Sequence, residues 1–265
     1  MPEHDLALIE NAAREAGAIA RSFFGGHYKS WDKGKGQPVT EADIAVDRYL
    51  NDALLKARPE YGWLSEETRD DPARLGKPRI FVVDPIDGTV AFIKGKPHFT
   101  IAIAVVEDGR PVAAVVFNPI TRECFSAGLG GGARLNGDAI HVSDQATIEG
   151  CRMLGDKPMF AHPGWSVAPN TPWPPMQIET RSSIAYRMAL VAAGQFDAAL
   201  ALSAKCDWDL AAADLIVQEA GGRVSDYHGA ILRYNGAVPI QRTMACAGPA
   251  LHAALIGKLS SVKLP

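Results

Sequence analysis

The run Asp84-Pro85-Ile86-Asp87-Gly88-Thr89 directly follows the apolar stretch Ile80-Phe81-Val82-Val83, which puts two carboxylates and a tight glycine turn at the end of an expected buried strand. Such a set suits a hard divalent cation, because magnesium takes oxygen ligands and usually keeps waters and substrate phosphate among them. Gly88 lets the main chain approach a phosphate oxygen, and Thr89 offers both its N–H and its hydroxyl. The same residue types are common turn formers, so a plain polar turn is the alternative for this segment taken alone.

Other acidic residues lie to either side in the chain. Glu66 and Glu67 follow Trp63 and Leu64 shortly before that strand, where one carboxylate turned inward would reach the same metals. Adjacent glutamates equally suit a solvated surface. Asp209 follows Trp208 at the head of an expected helix, where the dipole and free N–H groups favour negative charge, and there an ordinary N-cap serves as the alternative. Thr40 and Asp43 match the spacing of a capping box, which gives Asp43 a local task of its own. Gly128-Leu129-Gly130-Gly131-Gly132 lies between β segments with no helix after it, so it is expected as a hairpin loop rather than a nucleotide loop. His98 and His228 lack metal-ligand spacing, and no G-x-S-x-G elbow is present. Cys124, Cys151, Cys206 and Cys246 are far apart and are expected to be buried, reduced thiols.

These residues need elements to position them. Leu6, Ile9, Ala13, Ala16, Ala20 and Phe23 recur at helical spacing until Gly25 and Gly26, and Ala42, Val46, Leu50 and Leu54 mark a second helix ending near Pro59. Phe99 to Val106 and Val112 to Phe117 are β-rich and flank Asp108-Gly109, a tight hairpin turn. A further strand is expected near Glu123 to Ala127, then a turn at Asn136-Gly137 and a short strand from Ala139 to Val142. Helices followed by antiparallel strands make the first half α+β. Met159 to Pro175, with five prolines and two tryptophans, is expected as an irregular segment. Beyond it Ile184, Met188 and Val191 predict a helix ending at Gly194, Phe196 to Leu202 a strand, and Leu210 to Ala220 a helix closed by Gly221 and Gly222. That alternation reads as α/β, so the expected division is 1–145 for an α+β half and 146–265 for an α/β half carrying Asp209.

Composition narrows the function. The 265 residues are 47% hydrophobic and 22% charged, as in an ordinary folded protein. Lys plus Arg number 27 against 30 Asp plus Glu, a net charge of -3, so neither a nucleic-acid polymer nor a membrane surface is the expected partner. No apolar run approaches the roughly 20 residues that cross a bilayer, and the N-terminus, with Glu3, Asp5 and Glu10, lacks a secretory pattern; a cytoplasmic location is expected.

Four segments together, Pro38-Val39-Thr40-Glu41-Ala42-Asp43, Ser65-Glu66-Glu67, Asp84-Pro85-Ile86-Asp87-Gly88-Thr89 and Trp208-Asp209-Leu210-Ala211-Ala212 with Glu219-Ala220-Gly221-Gly222, resemble in order and spacing the inositol monophosphatase superfamily of magnesium-dependent, lithium-sensitive phosphomonoesterases. The resemblance covers nearly the whole chain and implies a layered αβαβα sandwich, α+β in its first half and α/β in its second. It further implies that Glu66, Asp84 and the carbonyl of Ile86 bind one magnesium, that Asp84, Asp87 and Asp209 bind a second, and that Glu66 helps a third, loosely held ion. Thr89 and Asp43 would position and help deprotonate a metal-bound water, while Gly88, Thr89, Ser182 and Ser183 would contact the substrate phosphate. Phosphate monoesters hydrolyse so slowly that rate enhancements up to ~10²¹ are demanded of their enzymes, and charge stabilisation must supply most of it, to which two ions about 3.5 to 4 Å apart contribute at the attacking water, the phosphoryl oxygens and the leaving alkoxide. Direct attack by water is then expected, without a phosphoenzyme. A homodimer is what the resemblance suggests.

The expected substrate is a small soluble phosphate ester. Leu64-Ser65-Glu66-Glu67, Phe92-Ile93-Lys94 and Phe99-Thr100 look more like the 3'(2'),5'-bisphosphate nucleotidase branch, which acts on 3'-phosphoadenosine 5'-phosphate, than like animal inositol monophosphatases. Arg181-Ser182-Ser183-Ile184-Ala185 departs from that branch's Gly-Ser-Ser-x-Lys pattern at Arg181 and Ala185, and Ala213 stands where relatives commonly have Gly. Two alternatives are a haloacid-dehalogenase-type phosphatase, whose Asp-x-Asp-Gly-Thr motif has a different spacing, and a non-catalytic regulator with the same fold.

Overall fold

The computed structural model of the chain describes residues 2–34, 36–161 and 172–260. Helix α1 (Pro2–Phe23) opens the fold, and the hairpin β1 (Ser30–Asp32) and β2 (Pro38–Thr40) leads into helix α2 (Glu41–Ala57). A seven-stranded sheet follows in chain order: β3 (Gly62–Ser65), β4 (Arg79–Asp87), β5 (Thr100–Glu107), β6 (Arg110–Asn118), β7 (Glu123–Gly128), β8 (Ala133–Leu135) and β9 (Asp138–Ala139). Its first pair is parallel and the rest antiparallel, with short turns joining the successive strands from β5 onward. At the β5–β6 turn both Asp108 (φ 50°) and Gly109 (φ 76°) adopt the left-handed conformation that hairpin twist demands. A short helix, α3 (Thr89–Ile93), sits between β4 and β5.

The second half supplies β10 (Arg152–Leu154), helix α4 (Lys157–Ala161), β11 (Gln177–Glu179), helix α5 (Ile184–Ala192), β12 (Ala198–Ala201), β13 (Lys205–Cys206), helix α6 (Asp207–Glu219), β14 (Arg223–Ser225), β15 (Ile240–Gln241), β16 (Met244–Ala247) and helix α7 (Pro249–Leu259). Five of these strands form a mixed sheet in the order β11-β10-β12-β16-β14, and β13 pairs with β15 in a separate ribbon.

Strand periodicity explains the layering. Side chains alternate between faces of a strand, so Phe81 and Val83 of β4 pack with Ile9, Ala13, Val46 and Leu50 of α1 and α2, while Ile80 and Val82 pack with α5 and α6. The second sheet repeats the arrangement: Leu154, Ala199, Met244 and Cys246 face α5 and α6, whereas Met153, Ala198, Leu200 and Ala245 face Leu251, Leu255 and Leu259 of α7. The result is the expected αβαβα sandwich. Because α5 and α6 pack on both sheets, one continuous core joins 1–145 to 146–265.

Several boundaries differ from the sequence expectations. The strand expected over Ala139–Val142 stops at Ala139, where Ile140 and Val142 turn their N–H groups to Ala133 and Ala220. The helix expected to run to Gly194 ends at Ala192, the strand at Phe196–Leu202 shortens to Ala198–Ala201, and the helix expected from Leu210 begins at Asp207. Of the irregular segment Met159–Pro175, the first residues belong to α4 and residues 162–171 lie outside the described residues. Cys124, Cys151 and Cys246 are buried thiols as expected, but Cys206 is half-exposed.

Candidate active site

In an unbroken strand, residues three apart point to opposite faces. Asp84 pairs with Ala102 and Asp87 with Thr100, so β4 spends three steps where β5 spends two, a bulge at Pro85–Ile86. Pro85 has no N–H to give the ladder, which suits that position. The extra residue turns Asp87 to the same face as Asp84, and Ile86 goes to the α1–α2 side instead. Both carboxylates therefore face α5 and α6.

Gly88 then takes φ 99° and ψ 35° as the N-cap of α3. A Cβ there would stand 2.8 Å from the His98 carbonyl oxygen and 3.0 Å from the Ser183 nitrogen, so both conformation and space demand glycine. Across the core, α6 presents Asp209 in its first turn. Carboxylate oxygens of Asp84, Asp87 and Asp209 lie within 4.8 Å of one another. The N-cap alternative for Asp209 does not hold: Cys206 occupies the cap and Asp209 the third helical position, from which it accepts the Cys206 N–H at 2.6 Å.

The other expected residues converge from separate elements. The parallel β3–β4 register sets Ser65 against Val83, which brings Glu66 alongside Asp84. Glu66 lies outside the three-carboxylate cluster, and its charge still raises the Asp84 pKa. Asp43 closes the capping box with Thr40 and, with its other oxygen, accepts from the Thr89 hydroxyl at 3.0 Å. That hydroxyl is also 3.1 Å from the Ile86 carbonyl oxygen; having one proton, it serves one acceptor at a time.

Ser182 is exposed, and Ser183 is fully buried as the N-cap of α5. Ser183 donates to Asp87 at 2.6 Å and accepts from the Tyr186 N–H, which makes Thr100 the donor in their 3.0 Å contact. Its hydroxyl is engaged with Asp87, Tyr186 and Thr100, which gives Ser183 the task of holding Asp87. The Ile184 and Ala185 N–H groups complete that grip, at 3.2 and 2.6 Å.

Two supports escaped the sequence reading. Lys33, in the β1–β2 loop, bridges Glu66 and Glu67 at 2.8 Å each. Asp47 of α2 accepts the hydroxyls of Ser65 and Thr68, bracketing the same acidic pair. Only a helical i+4 step beyond Asp43 marked Asp47, and nothing local marked Lys33 beyond its place in a basic, Gly-rich stretch. Lys33, Gln37, Glu66, Cys206, Trp208 and Asp209 line a cleft of about 210 Å³.

Electrostatics set this cluster apart. Burial, then the charges of Glu66, Asp87, Asp209 and Asp43, push Asp84 well above the usual carboxylate range. Burial drives Asp87 to about 6 despite its hydrogen bonds, and burial with the Asp87 charge drives Asp209 to about 8. Asp43 is raised by burial, and Glu67 reaches about 7 for the same reason. Elsewhere the buried Asp5, Asp197 and Asp214 each face an arginine. Among the described residues no ion pair engages Asp84, Asp87 or Asp209. Three convergent oxygen donors that lack a protein cation fit a hard divalent metal.

Compared with known proteins, residues 1–264 match the model of the inositol monophosphatase family. Inositol-1-monophosphatase of Rhizobium meliloti is 36% identical over 201 residues, 74% of this chain and 75% of that protein. Nus factor SuhB of Pseudomonas aeruginosa is 36% identical over 202 residues, 72% of this chain and 73% of its own length. Among solved structures, the IMPase of Thermotoga maritima superposes with a TM-score of 0.83 at 28% identity, covering 99% of this chain and 98% of that one.

Proposed function

The chain belongs to the inositol monophosphatase family, and from that membership we propose that it is a Mg²⁺-dependent, Li⁺-sensitive phosphomonoesterase acting on a small soluble phosphate ester. The observation that carries the reading is the convergence of Asp84, Asp87 and Asp209 beside the Thr89–Asp43 hydrogen bond. In this reading Glu66, Asp84 and the Ile86 carbonyl hold one ion, Asp84, Asp87 and Asp209 a second, and Glu66 contributes to a third. When bound, such ions supply Lewis-acid charge to the phosphoryl oxygens, the attacking water and the leaving oxygen.

The chain's own residues supply position and a proton path. Thr89, donating to the Asp43 carboxylate, keeps its lone pairs free to accept the proton of the attacking water, and Asp43 receives the threonine's proton in turn. The water oxygen bonds to phosphorus as the bond to the alcohol oxygen breaks, so no residue is phosphorylated. Gly88 and Thr89 offer backbone N–H groups to the phosphate, and the exposed Ser182, next in the chain to Ser183, adds a hydroxyl in the same reading.

Phosphate release from inositol 1-phosphate and from 3'-phosphoadenosine 5'-phosphate, with magnesium, without it and with lithium, tests this. Magnesium-dependent, lithium-inhibited turnover is expected, with the higher kcat/KM naming the branch; no release from either in the presence of bound metal counts against the reading. A cytoplasmic homodimer is part of the same proposal, and gel filtration checks the dimer. No helix among the described residues is long and apolar enough to cross a membrane.

The relatives named Nus factor SuhB support a second reading, a regulator that works through a partner. Such a role would survive Asp84→Asn, whereas turnover would not.

A further inference from the structure

The ligand cluster is assembled from two elements that share no backbone: Asp84 and Asp87 ride on β4 of the seven-stranded sheet, Asp209 on α6. Its geometry therefore depends on where α6 stops along that sheet. The helix lies over β4, β5, β6 and β7, and Ala211, Ala212 and Ala213 on it are all buried. Leu210, Leu215, Ile216 and Val217 are buried in the same core, and such apolar burial is non-directional, so it presses the helix onto its neighbours without itself defining an axial setting.

Polar ties from the same sheet add the directional restraint. Arg110, at the start of β6, pairs with the fully buried Asp214 in the middle of α6. At the far end, the Gly128–Gly132 loop between β7 and β8 closes on Glu219, the last residue of the helix. Gly130 donates its N–H to one carboxylate oxygen and Gly132 to the other, both at 2.8 Å. Gly130 (φ 76°) and Gly132 (φ 73°) are both left-handed, the conformation that turns alternate N–H groups toward one anion. A carboxylate at a helix C-terminus opposes the dipole, so helix formation alone does not explain Glu219 there.

We infer that Glu219 is a positioning residue for the metal cluster: held by the N–H groups of Gly130 and Gly132, it fixes the axial setting of α6 on the sheet and thereby the place of Asp209 opposite Asp84 and Asp87. The inference rests on those three carboxylates being ligands of a divalent cation. The glycine-rich loop is thus an anion cradle whose anion belongs to the chain.

Calorimetric titration of the full chain with Mg²⁺ alone, and with Mn²⁺, tests it. Glu219→Ala is expected to weaken the cation bound by the cluster about tenfold, the lower end of what loss of a ligand's support costs. Glu219→Gln, which keeps one acceptor and folds with less disturbance, is expected to fall between the variant and the parent protein. The emission of Trp208, read as the difference from Trp208→Phe, should shift with metal at correspondingly higher concentrations. Unchanged metal affinity in both Glu219 variants, with any loss confined to melting temperature, overturns the inference. Absence of metal binding in the parent protein overturns the metal reading itself, a separate outcome.

Discussion

Ser183 and Asp87 are joined by a 2.6 Å hydrogen bond across two halves of the chain, and both are buried. Ser183 is at once the cap of α5 and the fixed donor that aims a carboxylate into the cluster. Ser183→Ala is expected to cost about 1 to 2 kcal/mol through the lost cap and to weaken metal binding by roughly 10-fold or more through the lost support. Urea denaturation and calorimetric titration measure the two effects separately.

Asp84→Asn removes the charge at the centre of the cluster while keeping its shape. Turnover should fall by at least about 10³-fold, on the scale of losing a major charge-stabilising group, and the metal-free variant should be more stable than its parent because crowded like charges are relieved. Steady-state assays beside melting curves in EDTA check both halves.

The pH response has a definite sign. In the metal-free protein Asp87 titrates at about 6 and Asp209 at about 8, both raised from 3.8. A raised folded pKa means the folded state binds more protons than the unfolded one between the two values, so the contribution to stability is full below the unfolded pKa and lost as pH rises through 6 and then 8. In EDTA the melting temperature should therefore decline over that window as far as these groups govern it. Saturating Mg²⁺ competes with the same protons, and its stabilisation should grow with pH. Thermal scans with EDTA or Mg²⁺ at the two ends of the window test this; a metal increment independent of pH would contradict it.

Gly88→Ala combines a strained φ with contacts of 2.8 and 3.0 Å to backbone atoms that have little room to yield. Its cost is expected at about 1 to 3 kcal/mol, accompanied by loss of activity, since Asp87 and Thr89 flank it. Denaturant midpoints and kcat report the outcome.

Arg110→Met strands the Asp214 carboxylate, which is fully buried and is left with Tyr234 and Gln218 as neutral partners. Breaking such a pair is expected to cost about 3 kcal/mol. Combining it with Asp214→Asn should recover part of the loss, a coupling that a double-mutant cycle in urea measures.

Residues that act within one contiguous segment were legible in the sequence. Asp84 and Asp87 announce themselves after an apolar run, and Thr40 and Asp43 carry their cap in their spacing. What needed the folded chain was tertiary. Ser183 reaches Asp87 only once α5 packs against β4, and Lys33 meets Glu66 and Glu67 only when the β1–β2 hairpin folds over β3. Asp209 was misplaced within its helix because the true cap is Cys206, a residue type with no capping signature. The Gly128–Gly132 segment was rightly a hairpin loop, but its anion lies far along the chain at Glu219.

The bulge at Pro85–Ile86 makes the site a matter of parity. Side-chain type alone does not put Asp87 beside Asp84; the extra residue that β4 carries against β5 does, by reversing the alternation at the strand's last position. If β4 ran through the same residues without the bulge, Asp87 would point into the apolar layer beneath α1 and α2 and Ile86 toward the metals. The odd spacing of the two aspartates and the irregularity of the ladder are thus a single feature: three steps bring both carboxylates to one face only because the bulge takes up the extra residue.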